Sequence, residues 1–160
     1  MKVKIAGCCI AMLLLLATSA FAQWQFAYHQ EIPYDFEAIH FPTASVGYIV
    51  GGSGVIYKTD DGGTTWVKQT SPVTTALYDV FFTDATHGFA VGASGVIIYT
   101  TDGSTWAKHA QSGVLTTAGL YGICFIGSNG WMGGGADGAQ CKIFSTSDGG
   151  TTWANSVVTN

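Results

Sequence analysis

Apolar and polar positions alternate along this chain in short runs, and the runs recur at a fixed interval. Ala38-Ile39-His40-Phe41, Asp79-Val80-Phe81-Phe82 and Gly122-Ile123-Cys124-Phe125 each read as a strand by period and composition. A glycine followed by an aromatic residue comes next each time, at Gly47-Tyr48, Gly88-Phe89 and Gly130-Trp131, with offsets of 41 and 42 residues. The second repeat resolves into four predicted strands: Tyr78 to Thr83, Gly88 to Gly92, Val96 to Thr100 and Thr105 to His109. Clusters of glycine, serine, aspartate and threonine separate them, as turns require.

One stretch is written three times. It runs Thr59-Asp60-Asp61-Gly62-Gly63-Thr64-Thr65-Trp66, then Thr100-Thr101-Asp102-Gly103-Ser104-Thr105-Trp106, then Thr146-Ser147-Asp148-Gly149-Gly150-Thr151-Thr152-Trp153. A carboxylate just ahead of glycines can accept hydrogen bonds from nearby backbone N–H groups, and the glycines supply the positive φ of a tight turn. The Thr-Trp pair then enters a strand, where a β-branched residue and a large aromatic suit a pleated, buried surface. The second copy has one residue fewer between aspartate and tryptophan, so its turn is expected to differ.

Repeats of about 40 to 50 residues with four short antiparallel strands define a propeller blade, because one small sheet cannot bury both faces alone. The expected fold is therefore all-β: a partial β-propeller of about three four-stranded antiparallel blades, near residues 36–68, 77–109 and 120–158. A two-sheet sandwich is the alternative built from similar strands; the identical stretch at a fixed period argues against it. Trp24 stands 42 residues before Trp66, so Gln23 to Tyr28 reads as an orphan N-terminal strand equivalent to the fourth strand of a blade. Three blades and one strand do not close a ring of at least about four blades. Either more chain follows in the gene, or copies associate, or the ends stay exposed.

The first 22 residues read differently. Lys2 and Lys4 precede an apolar run from Ile10 to Ala17, and Ala20-Phe21-Ala22 is a small-x-small site before Gln23. This is the pattern of a cleavable secretory signal, which predicts a secreted or periplasmic protein with residues 23–160 as the propeller segment and no membrane insertion after cleavage. Cys8 and Cys9 would leave with the signal, keeping Cys124 and Cys141. These fall on the first and third strands of one blade, about 9.6 Å apart at ~4.8 Å per strand, beyond the ~7 Å Cα limit for a disulfide.

Composition narrows the function. The net charge is −4, all six basic residues are lysines and there is no arginine; a nucleic-acid partner, which needs a basic patch, is excluded. Asp61, Asp102 and Asp148 invite a catalytic or calcium-binding reading, but each sits in a local turn and the three belong to separate blades. His29, His40, His87 and His109 show no metal-ligand spacing. Gly133-Gly134-Gly135 lacks the lysine and hydroxyl residue of a phosphate loop. No catalytic, metal-binding or cofactor residue is expected, and no cofactor.

The thrice-written stretch resembles the Asp-box, S/T-x-D-x-G-x-T-W, of sialidases, sortilin-type receptors, xyloglucanases and the photosystem II assembly and stability factors. The residues that carry it are Thr59, Asp61, Gly63, Thr65 and Trp66; Thr100, Asp102, Gly103, Thr105 and Trp106; and Thr146, Asp148, Gly150, Thr152 and Trp153. A longer pattern through Phe41, Gly47, Tyr48, Gly51, Gly54, Ile56 and the first box is most similar to the photosystem II assembly and stability factors. The second repeat follows it from Phe82 to Trp106, while the third lengthens the turn between its second and third strands at Gly135 to Ala139. The resemblance implies boxes that are structural and lie away from the central channel, and an exported, non-enzymatic propeller that binds a protein partner during assembly. Photosynthetic members present an arginine-rich patch, and this chain has no arginine for one. Sialidase activity, which needs arginines to hold a carboxylate by paired hydrogen bonds, is excluded for this chain. A fragment of a secreted Asp-box glycoside hydrolase or a glycan-binding protein is the alternative; the former needs two facing carboxylates about 5–9.5 Å apart. All three box tryptophans are expected to be core anchors, with Trp66→Ala costing ~3–5 kcal/mol and Asp84→Ala almost nothing.

Overall fold

A computed structural model describes residues 35–137 and 140–156. The signal-like segment and the expected strand at Gln23 to Tyr28 lie outside the described residues. Twelve strands form three four-stranded antiparallel sheets, ordered β1-β2-β3-β4, β5-β6-β7-β8 and β12-β11-β10-β9. Blade 1 comprises β1 (Phe36–His40), β2 (Gly47–Gly51), β3 (Ile56–Thr59) and β4 (Val67–Gln69). Blade 2 comprises β5 (Leu77–Phe82), β6 (Gly88–Gly92), β7 (Ile97–Thr100) and β8 (Trp106–Lys108). Blade 3 comprises β9 (Leu120–Ile126), β10 (Asn129–Asp137), β11 (Gln140–Thr146) and β12 (Ala154–Ser156). The partial propeller is thus the observed architecture, and sequential pairing of neighbouring strands excludes the sandwich.

Each blade is built by the same local rules. Phe82 faces Gly88 across the β5–β6 ladder, and a Cβ on Gly88 would lie 2.6 Å from the Phe82 ring. The glycine before each aromatic therefore lets a phenylalanine ring lie flat on the backbone of the next strand. The second and third strands of blades 1 and 2 meet at one-turn 3₁₀ corners, Gly52–Gly54 and Ala93–Gly95. There Gly54 and Gly95 take φ of +71° and +68°, a conformation that glycine adopts without steric cost.

Blade 3 departs from this plan. Its inserted residues continue β10 and β11 as a longer hairpin, with Asp137 paired to Gln140 and a register irregularity between Gly133 and Ala136. The extra length expected in the turn has become strand. Cys124 on β9 and Cys141 on β11 are free, exposed thiols.

The core lies between blades. One apolar cluster joins Tyr48, Val50 and Ile56 of blade 1 to Leu77, Val80, Phe82, Ala90, Val96, Ile98 and Trp106 of blade 2. A second joins Phe89, Val91 and Ile97 of blade 2 to Leu120, Ile123, Phe125, Met132, Phe144 and Trp153 of blade 3. Each blade thus presents one face backward along the array and the opposite face forward. The forward aromatic of one blade enters a clamp made by a phenylalanine and the box tryptophan of the next. Tyr48 stacks on Phe82 at 3.7 Å between ring centroids and meets Trp106 edge-on at 6.3 Å. Phe89 stacks on Phe125 at 5.1 Å and meets Trp153 edge-on at 6.3 Å.

Trp66 breaks the expectation that all three tryptophans are core anchors. Trp106 and Trp153 are buried, whereas Trp66 is only partly buried. It meets Phe41 edge-on at 5.9 Å and 84°, the clamp geometry of Phe82 with Trp106 at 5.8 Å and 82°. The clamp is formed, but no aromatic of another described blade enters it.

These positions separate by experiment. Trp106→Ala and Trp153→Ala are expected to cost about 3–5 kcal/mol each, as truncations of buried aromatics. Trp66→Ala, on the open face, costs about 1 kcal/mol in the isolated arc. Urea unfolding of the three variants checks the ranking.

Candidate functional site

The box turns are closed local networks. In the first, the Thr59 hydroxyl donates to Asp61 Oδ1 at 2.7 Å and its oxygen accepts from the Gly63 N–H at 2.9 Å. Asp61 Oδ1 also accepts the Thr65 N–H at 2.8 Å, and its Oδ2 the Thr65 hydroxyl at 2.6 Å. The third box repeats this: Thr146 to Asp148 at 2.7 Å, Gly150 N–H to Thr146 at 3.1 Å, and the Thr152 N–H and hydroxyl to Asp148 at 2.9 and 2.6 Å. In the shortened second box, Gly103 N–H reaches Thr100 at 3.0 Å while Asp102 Oδ1 accepts from the Ser104 and Thr105 N–H groups at 2.8 and 2.6 Å.

Hydrogen bonds to the ionised form set the proton affinity of these carboxylates. The Thr65 hydroxyl, then the Thr65 N–H and the Thr59 hydroxyl, hold Asp61 down at about 2. Asp148 is pulled well below the usual carboxylate range, first by the Thr146 hydroxyl, and Asp102 first by the Thr105 N–H. A carboxylate held ionised with its lone pairs engaged by its own turn is a poor proton donor. The boxes sit in separate blades, and among the described residues no cluster of three or more histidine, cysteine or acidic side chains could hold a metal.

The two described blade junctions differ in one respect that bears on function. At the first, Tyr48 donates its hydroxyl to the carbonyls of Ala85 and Gly103, 3.1 Å each, and Gln69 Oε1 accepts the Trp106 indole N–H at 2.8 Å. A Cβ at Gly103 would stand 2.5 Å from that hydroxyl, so the short second box and the tyrosine fit together. Burial, followed by the charges of Asp60, Asp102 and Asp84, pushes the Tyr48 phenol up to about 12.

The second junction has Phe89 in place of Tyr48 and His109 in the position of Gln69, three residues past the box tryptophan. Gln111 holds the Trp153 backbone instead: its Oε1 accepts the Trp153 N–H at 2.7 Å and its Nε2 donates to the Trp153 carbonyl at 2.9 Å. The buried Trp153 indole N–H has no hydrogen-bond partner. A cleft of 530 Å³ opens here, lined by residues that include His87, Phe89, Tyr99, Thr101, His109 and Gly150. Among the described residues no lysine or carboxylate lines it.

The histidines have separate roles. Asp84 accepts the Thr86 and His87 N–H groups at 2.7 and 2.8 Å and pairs with His87 Nδ1 at 2.9 Å. These bonds, the Thr86 N–H first, hold the Asp84 carboxyl well below its ordinary range, so Asp84 is a turn-forming residue whose replacement is expected to cost some stability. His109 is buried, and its Nδ1 accepts the Gln111 N–H at 3.2 Å. His40 Nδ1 accepts the Phe82 N–H across the first junction at 3.3 Å. The Asp79 carboxylate, one repeat on, accepts the Ile123 N–H at 2.8 Å.

Of the box residues singled out from sequence, Thr100 and Gly150 line this cleft and the rest do not. His87, Phe89, Tyr99 and His109 carry no site motif in the sequence. The signal available for them was a difference between repeats: tyrosine against phenylalanine, and glutamine against histidine, at equivalent positions.

Asp-box turns on stacked four-stranded blades define a β-propeller of the Asp-box repeat class. The family model for Photosynthesis system II assembly factor YCF48 matches residues 65–160, and the chain belongs to this family. No curated protein matches it. The fold is similar to a solved structure described as YCF48 bound to D1 peptide, with a TM-score of 0.64 at 23% identity over 76% of this chain and 40% of that one. It is also similar to YCF48 from Cyanidioschyzon merolae, with a TM-score of 0.60 at 22% identity over 76% of this chain and 37% of that one. The chain therefore spans well under half the length of these two solved relatives.

Two measurements probe the site. Asp84→Ala should lower stability by about 1 kcal/mol or less, reflecting lost local hydrogen bonds in a solvent-screened turn, and a melting curve detects it. Burial lowers the His40 pKa, with Asp79 opposing, so the unfolded chain binds the proton more readily than the folded one. The stability this contributes is present above the unfolded value of about 6.5 and is lost as pH falls through the lower folded value. Melting temperatures between about pH 7.5 and 5 should show this fall in the wild type and a flatter profile in His40→Gln.

Proposed function

We propose that the protein is an exported, non-catalytic propeller scaffold that holds an uncharged stretch of another protein in the cleft between blades 2 and 3. The cleft carries this reading: among the described residues its walls offer aromatic faces, hydroxyls and imidazoles but no lysine or carboxylate. Such walls suit apolar side chains and backbone amides, since an ionic segment would lose its hydration there without a partner. Family membership supports the protein-binding role, and a relative has been solved with a D1 peptide. Export rests on the signal-type pattern of Lys2 to Ala22. A non-catalytic role is supported by box carboxylates that are engaged within their own turns.

The absence of arginine bears on the partner. Without guanidinium groups the chain cannot grip acidic side chains by paired hydrogen bonds, so recognition falls to apolar contact and to single hydrogen bonds from threonine, tyrosine and histidine. A D1 peptide is the first protein segment to titrate.

Panning of a random displayed-peptide library on the protein tests the proposal. Uncharged peptides rich in apolar side chains should be enriched, and Thr101→Arg on the exposed rim should weaken them about tenfold or more. Enrichment of acidic peptides, no enrichment, or equal binding by the variant would overturn it.

A further inference from the structure

A carboxamide completes the first blade junction. The Gln69 side chain bridges two groups of blade 2: its Oε1 accepts the Trp106 indole N–H at 2.8 Å, and its Nε2 donates to the Gly103 carbonyl at 3.4 Å. The Tyr48 hydroxyl donates to the same carbonyl at 3.1 Å. A buried donor and a box carbonyl are both satisfied there.

Each position of this arrangement has a counterpart at the second junction. Gly103 and Gly150 both stand three residues before a box tryptophan, and both give their N–H to the first threonine of the box, at 3.0 and 3.1 Å. A Cβ at either would lie 2.5 Å from the aromatic side chain of the preceding blade, Tyr48 or Phe89. Gln69 pairs with Ile56 in the β3–β4 ladder, and one repeat on His109 gives its N–H to the Ile97 carbonyl. The bridge itself is missing. Phe89 has no hydroxyl, His109 Nδ1 accepts the Gln111 N–H, and the indole N–H of Trp153, a residue only 3% exposed, is unbonded. A buried donor left unbonded favours any acceptor that reaches it. The cleft wall includes Phe89, His109 and Gly150, the residues around this missing bridge.

We infer that the cleft selects a primary carboxamide, the side chain of a glutamine or asparagine in the partner protein. It enters with the His109 imidazole turned aside and takes the place that Gln69 fills in the first junction. The inference rests on the cleft being the partner site, as proposed above. The carboxamide oxygen accepts the Trp153 indole N–H, and its nitrogen donates to the Gly150 carbonyl. A peptide bond does not substitute, because its trans geometry points C=O and N–H in opposite directions, whereas a primary amide offers both on one edge. A carboxylate has no proton to donate and brings a charge that the lining does not match. The His109 ring is held by the Gln111 bond at 3.2 Å and an edge-on contact with Tyr99 at 5.9 Å, neither of them a tie to blade 3.

Isothermal titration calorimetry of the full chain with two neutral peptides tests this. One is Ac-Ala-Leu-Gln-Leu-Ala, capped as its N-methylamide so that it holds a single primary amide; the other has methionine in place of glutamine. The glutamine peptide should bind about tenfold more tightly, the order expected of two added hydrogen bonds, one of them to a buried donor. Trp153→Phe removes the indole N–H, and His109→Gln supplies the carboxamide from the chain itself. Each should abolish the preference while binding of the methionine peptide persists, and His109→Gln should also raise the melting temperature. Equal wild-type affinities for the two peptides, or a preference that survives either substitution, would overturn the carboxamide site and leave the cleft as an apolar groove. Failure of both peptides to bind would overturn it together with the cleft reading.

Discussion

The fold depends on one contact made twice between described blades: an aromatic ring of one blade held between a phenylalanine and a tryptophan of the next. A four-stranded sheet this small has two apolar faces and can bury neither alone. Stacking solves both problems at once, because the forward face of one blade covers the backward face of its successor. Burying a large aromatic stabilises by roughly 1.5–3 kcal/mol, and an edge-on or offset ring pair adds about 0.5–1.5 kcal/mol. Tyr48 and Phe89 each make two such pairs. Glycine opposite the phenylalanine is part of the same device, since any larger residue would lift the ring from the sheet.

The Asp-boxes serve this contact from outside it. Each carboxylate gathers the N–H groups and hydroxyls of its own turn and so fixes the angle at which the following tryptophan enters its strand. Carboxylates used in this way stay ionised and are occupied, which explains how a chain can carry three conspicuous aspartates without bringing them together. Where a box is one residue shorter, the neighbouring blade supplies a tyrosine hydroxyl to the turn. Turn and clamp are matched as a pair.

Variation at that pair creates the candidate site. Tyr48 with Gln69 fills the first junction, whereas Phe89 with His109 leaves the second open, with an indole N–H lacking a partner nearby. The proposed protein-binding role places its partner at this junction. With no arginine among its 160 residues, this chain has no guanidinium to offer such a surface.

The repeat, the four strands per blade and the turn residues were legible in the sequence, because strand alternation, glycine punctuation and the boxes are local signals. Trp66 and Trp106 show the boundary of that legibility. Their surroundings in sequence are nearly the same, yet one is only partly buried and the other buried, because burial depends on whether another described blade stands on that side. The chain's local order therefore determined which residues build a blade and its turns. Only tertiary stacking decided which aromatics became core, which junction stayed open as a cleft and which faces were left bare, since those depend on contacts between residues about forty positions apart.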